Sequence, residues 1–190
     1  MLLLLRLKNL FLYRKYLTVF LVIILIITML TGFYCQKTKI PENEVFNEDF
    51  SSIDGVIQTL YFSITFSAGS EPDLSLLSNC FTTDALFIRI TQDTVLRMNR
   101  ESFISSFRHR VESGQLTSFY EAEIKRKSLT WGSMTQVFSS YQKAVNMEQP
   151  SEFIRGINSM QLFYDKDRWW ITSIIWEEER GEKLLPGEFR

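Results

Sequence analysis

The groups in this chain best able to move a proton are two carboxylates, Glu121 and Glu123, alternating with Tyr120, Ala122 and Ile124 in the run FYEAEI. Extended backbone puts residues i and i+2 on one face, so both carboxylates point the same way as Phe119. Facing inward, one of them can serve as a general base or pair with an arginine; facing outward, they form a solvated face continued by Lys125. Glu123 is the carboxylate carried forward as an inward candidate. Arg155 stands among Phe153, Ile154 and Ile157. A guanidinium keeps its charge when folded, so it needs a carboxylate, carbonyl oxygens or an anionic ligand; Glu121 or Glu123 is the expected partner. Asn158, Ser159 and Gln161 add polar groups to a stretch otherwise built for burial, and a period of two separates Asn158 from the other two. Tyr61, Glu123, Arg155, Ser159, Gln161 and Trp176 are the candidate cavity residues, and none is assigned as catalytic.

Other chemistries find little material. The single histidine, His109, lies between Arg108 and Arg110 in a helical segment and reads as solvated, and one histidine with two distant cysteines makes no metal set. The eight glycines are scattered, so no phosphate loop forms, and no G-x-S-x-G nucleophile motif occurs. No cofactor is expected. Cys80, in SNCF, reads as a small buried hydrophobe, and no disulfide to Cys35 is expected.

The elements that must position these side chains follow from periodicity. Ile53, Val56, Ile57, Leu60, Tyr61 and Ile64 recur at spacings of three and four, with Ser51 and Asp54 as a capping box and Gly69 as a stop. Pro72 opens a second, shorter helix to about Cys80, and residues 85–90 and 95–98 read as strands. Asn99 caps a third helix with Phe103, Ile104, Phe107 and Val111 on one face, ending at Gly114. From there the period changes to two. Residues 116–130, 134–145, 152–164 and 169–176 read as strands joined by short turns, among them Trp131-Gly132-Ser133 and Asp165-Lys166-Asp167-Arg168. The expected architecture is α+β: a curved antiparallel sheet wrapped around about three helices, a cone-shaped roll whose mouth would take a ligand.

The segments YFSITFSAGSEPDLSLLSNCF, FYEAEI, QVFSSYQ, RGINSMQL and WWITSIIWEEE, in this order, resemble the nuclear transport factor 2-like superfamily, which includes ketosteroid isomerase, scytalone dehydratase and SnoaL-like cyclases. The resemblance spans about residues 51–179 and implies a fold, because that superfamily holds enzymes, binding proteins and assembly domains side by side. Ketosteroid isomerase uses a carboxylate base with a tyrosine and a protonated aspartate. No matching set can be placed here; Tyr61 falls roughly where such a tyrosine sits but continues an apolar stripe.

Ahead of this domain, residues 17–34, LTVFLVIILIITMLTGFY, are 18 residues without a charge, about 27 Å as a helix and close to the thickness of a bilayer core. Arg6, Lys8, Arg14 and Lys15 precede the run; Lys37 and Lys39 follow it, with Glu42, Glu44, Glu48 and Asp49 soon after them. The charge asymmetry favours a cytoplasmic N-terminus and an extracytoplasmic domain. The competing reading is a cleaved signal with a secreted or periplasmic product. The whole chain carries −1, so without those four cations the remainder carries −5, which argues against nucleic acid as a partner. The expected division is an anchor or signal over 1–35, a linker over 36–50, the domain over 51–180 and a tail over 181–190. Expected partners are the membrane, through the N-terminal helix, and a second copy through the sheet. Two function classes stand: a non-catalytic binding module, which the residues favour, and a cofactor-independent lyase or isomerase using a cavity carboxylate. The interior of the cone discriminates between them.

Overall fold

The computed structural model describes residues 46–146 and 153–190. The apolar run 17–34 lies outside the described residues, and among those described no helix is long and apolar enough to cross a membrane. The elements are α1 (Ile53–Ile64), α2 (Leu74–Asn79), β1 (Phe81–Ile90), β2 (Val95–Asn99), α3 (Arg100–Glu112), β3 (Phe119–Trp131), β4 (Met134–Val145), β5 (Ile154–Asp165) and β6 (Arg168–Glu178), with a closing 3-10 turn at Gly187–Phe189.

The three α-helices among the described residues each start on a side-chain cap. Ser52, rather than Ser51, accepts from the Gly55 amide; Asp73 accepts from Leu76 and Asn99 from Ser102, each satisfying an amide that the helix leaves free. The first helix ends at Ile64, ahead of the expected stop at Gly69, because Thr65 leaves the helical region and Phe66 bridges to Phe119.

The six strands run in the order β2-β1-β6-β5-β4-β3. β3 to β6 form the expected meander. The sheet is not antiparallel throughout, however: β1 lies parallel to β6, a crossover made possible by the β2, α3 and β3 to β5 that separate them in sequence. Lys166 and Asp167 both take positive φ, 52° and 66°, in the two-residue turn joining β5 to β6. On the concave side, Val56, Ile57, Leu60 and Ile64 of α1 and Ile104 and Phe107 of α3 pack against Phe87, Val137, Met160, Leu162, Ile171 and Ile174. Residues 46–50 and the C-terminal tail pack against the domain. Phe46 stacks on Phe62 at 4.0 Å, and the guanidinium of Arg168 is held between the rings of Phe50 and Trp170. At the other end Leu185 and Phe189 are buried, and Ser140 donates to the Phe189 carbonyl at 2.8 Å, so the tail covers part of the convex face.

Candidate functional site

Register decides which polar side chains face the cavity, since directly opposed residues share a face of the sheet. In β5 the buried positions are Gly156, Asn158, Met160 and Leu162. Asn158 opposes Ser139 and Trp176, while Gly156 opposes Tyr141 and Glu178. These residues, with Glu121 and Glu123 opposite Lys143 and Tyr141, make the polar part of the concave face. A bulge between Glu123 and Lys125 then reverses the alternation, so that Arg126 turns inward as well.

Only part of the expected set is gathered here. Trp176 lines the cavity, edge-on to Phe103 at 6.0 Å. Ser159 and Gln161 are on the convex face, where Gln136 donates to the Ser159 hydroxyl at 2.9 Å and accepts from Gln161. Arg155 is convex too. Its Nε donates to Glu179 at 2.8 Å with the side chain 41% exposed, so the expected pairing with Glu121 or Glu123 is overturned. Residue 155 has the opposite parity to Asn158, which puts the sheet between Arg155 and both carboxylates. His109 is exposed.

Glu123 faces inward with its oxygens occupied. Arg126 donates to both of them, Nε at 2.9 Å and Nη2 at 2.7 Å, and the Ser139 hydroxyl donates to Oε1 at 2.5 Å. Arg126 also reaches Asp54 of α1 at 2.6 Å. Because the Ser139 proton is committed to Glu123, the Tyr61 hydroxyl, 2.8 Å from Ser139, is the donor in that contact. The Tyr61 oxygen in turn accepts from Asn158 at 3.1 Å. Burial, with the nearby Glu121 charge, raises the Tyr61 phenol above its ordinary value. Tyr61 is thus a filled link in a buried network and has no proton to offer a ligand.

Glu121 is different. Its nearest donor is Asn158 Nδ2 at 3.4 Å, a long contact, and the carboxyl looks into a cavity of about 120 Å³ walled by Leu60, Leu77, Phe81, Phe87, Phe119 and Ile174. The residue is half-buried. Burial pushes this carboxyl up to about 7, against the opposing pull of Lys143 and Asn158 and with a further push from Glu178. Tyr141 lines the same cavity, is 1% exposed, and its hydroxyl has no hydrogen-bond partner among the described residues. An unpaired buried hydroxyl costs about 1–3 kcal/mol, so the phenol is a donor with no acceptor among the described residues. Burial, with the charges of Glu121 and Glu178, keeps the phenol protonated.

The cavity opens into a vestibule of about 320 Å³ that shares Arg89, Phe103, Phe107, Arg110, Phe119, Lys143 and Trp176 with it. Lys143 pairs with Glu178, and Arg89 approaches the same carboxylate at 3.5 Å. Arg110, in the last turn of α3, has no acidic partner among the described residues. No group of histidine, cysteine or acidic side chains among the described residues could hold a metal ion. Cys80 is a free, fully buried thiol among the described residues, pushed up to about 12 chiefly by burial.

No protein-family model matches the chain, and no curated protein does. Solved structures do match. A Mycobacterium tuberculosis protein of unknown function superposes with a TM-score of 0.56 at 14% identity, over 68% of this chain and 71% of that one. A proposed dehydratase of the nuclear transport factor 2-like family from Streptomyces avermitilis gives a TM-score of 0.51 at 12% identity, covering 66% and 92%. The fold is the nuclear transport factor 2-like cone. A further structure of this shape, a proposed scytalone dehydratase from Novosphingobium aromaticivorans, gives 0.54 at 6% identity over 70% and 86%. At such identities the nuclear transport factor 2-like likeness is one of fold, and the chemistry has to be argued from this chain's own residues.

Nothing in the sequence marks Tyr141, Lys143, Arg89 or Arg110 as site residues, and Glu121, not the expected Glu123, is the carboxylate that lines the cavity. One signal was available. Met160 and Leu162 share the parity of Asn158, which marks Asn158 rather than Ser159 or Gln161 as inward.

Proposed function

We propose that the domain admits a small, largely apolar molecule to the cone and moves a proton on it, as a cofactor-independent lyase or isomerase with Glu121 as the base. The observation that carries this reading is the pairing, in one apolar cavity, of a carboxyl raised to about 7 with a buried phenol that has no partner. A base poised near neutrality is matched to proton abstraction from carbon. The Glu121 carboxylate takes a proton from a carbon beside a carbonyl, while the Tyr141 hydroxyl donates to the carbonyl oxygen as it gains charge. The Glu121 proton then goes to a departing β-hydroxyl, which leaves as water, or returns at the γ-carbon. Either way the base is restored.

The test is proton NMR of the purified chain in D₂O with β-hydroxy ketones and β,γ-unsaturated ketones, following C–H exchange, loss of water or double-bond migration. Turnover by the parent and none by Glu121→Gln is the expected result. A parent no faster than Glu121→Gln on every compound overturns the reading. A binding module without catalysis is the second reading, favoured by the phenylalanine walls of the cavity; there the compounds bind to both proteins and react with neither.

Attachment to the membrane through residues 17–34 belongs to the proposal and rests on the 18-residue uncharged run. Retention of the chain in membranes after an alkaline carbonate wash supports an anchor, and recovery of a soluble chain beginning near Cys35 supports a cleaved signal. Pairing of two copies through the sheet rests on the exposure of Leu129, Trp131 and Met134 along the β3–β4 hairpin. Sedimentation decides it, a monomer at tens of micromolar counting against.

A further inference from the structure

Among the described residues, the charges of the vestibule do not balance. Arg89, Arg110 and Lys143 line it against one carboxylate, Glu178, and even a fully ionised Glu121 in the inner cavity leaves the two chambers with a positive charge in excess. Arg89 and Lys143 both lean on Glu178. Arg110 is the cation left over, and it lines both chambers. Its helix places it at the C-terminal end, where a cation is favoured by the backbone dipole, but the main-chain oxygen of Arg110 is already engaged by the Leu116 amide and the Ser113 hydroxyl. The guanidinium itself meets no acidic partner among the described residues, so it is free for something that enters.

Resting on the reading of the cone as a ligand site, we infer that the ligand is an amphipathic carboxylate, its apolar body in the inner cavity and its anionic end on Arg110 in the vestibule. Guanidinium and carboxylate match as a planar, bidentate pair. Phe103, Phe107 and Trp176 line the vestibule beside it, an apolar surround that strengthens the pair relative to one in open water. The arrangement also sets polarity: with the anion held at the mouth, the far end of the molecule lies nearest Glu121, Tyr141 and Asn158, and the anion stays away from the carboxylate it would repel.

Calorimetric titration of the full chain with 3-phenylpropanoate and with 3-phenylpropan-1-ol, two probes of one shape that differ in charge, tests this. The acid is expected to bind about tenfold tighter than the alcohol. Arg110→Gln should abolish that preference and leave the affinity for the alcohol unchanged, and Arg110→Lys should keep part of it. Equal binding of acid and alcohol by the parent overturns the inference, as does an Arg110→Gln protein that still prefers the acid, or an acid that fails to bind at millimolar concentration. Glu121→Gln separates this from the catalytic reading: it should retain the preference for the acid even if no turnover is found in the parent.

Discussion

The phenol of Tyr141 lies over Gly156, so closely that a Cβ at residue 156 would stand 2.5 Å from the hydroxyl oxygen and 2.6 Å from the Glu177 carbonyl oxygen. Glycine here is a matter of space, since one β carbon would drive apart β4 and β6 on either side. Gly156→Ala should destabilise the domain by about 1–3 kcal/mol, the usual range for an overpacked core, and displace the hydroxyl from the cavity. Urea unfolding measures the first effect, and loss of ligand affinity the second. A variant as stable as the parent would mean that β5 yields freely at this point.

Removing the hydroxyl itself should have the opposite sign. The Tyr141 oxygen is buried and unpaired, so Tyr141→Phe discards a group whose burial nothing offsets. An increase in stability of about 1 kcal/mol is expected, with a fall in turnover if the phenol donates to the reacting carbonyl. Stability and activity moving in opposite directions is the signature of a donor kept for a ligand. A loss of both would assign Tyr141 to packing.

The Glu121 carboxyl moves from an ordinary 4.5 to about 7 on folding, so the folded state holds this proton more tightly than the unfolded chain. Its contribution to stability is full below about pH 4.5 and is lost as pH rises through 7. Partial exposure trims the effect to about 1–3 kcal/mol. Glu121→Gln should remove this slope and exceed the parent in stability at pH 8, as read from urea midpoints at pH 5 and 8. The same group working as a base requires its ionised form, so kcat/KM of the parent should climb through about pH 7. Parallel pH dependences of stability in parent and Glu121→Gln would remove Glu121 as the raised group.

The fold was more legible than the site. Apolar spacing located α1 and α3, and the turn residues located the β3–β4 and β5–β6 hairpins, because these depend on neighbours in sequence. The parallel contact of β1 with β6 depends on residues nearly ninety positions apart, and no local pattern announces it. The site was half legible for the same reason. Alternation showed that Glu121 and Glu123 share a face, but which of them meets solvent-sized space follows from the bulge after Glu123, which swings Arg126 round to occupy one and leaves the other. Tyr141, within QVFSSYQ, looks like any sheet aromatic until Gly156 is seen beneath it.

Arg155 carries the last prediction, because its surroundings reverse what the sequence implied. An arginine buried opposite Glu121 or Glu123 would have made a pair whose disruption costs about 3–5 kcal/mol. On the convex face, with its side chain 41% exposed, it meets Glu179, and pairs of that kind contribute about 0–1 kcal/mol. Glu179 does more than Arg155, since its other oxygen accepts the Leu185 amide at 2.6 Å and so ties the C-terminal tail to the sheet. Arg155→Met should therefore cost less than about 1 kcal/mol. Glu179→Gln should cost more, about 1–2 kcal/mol, and expose the tail around Leu185 to hydrogen exchange. A double-mutant cycle should return a coupling of about 0.2–1 kcal/mol. A coupling of several kcal/mol would mean that the pair is shielded from water and that the tail closes over it.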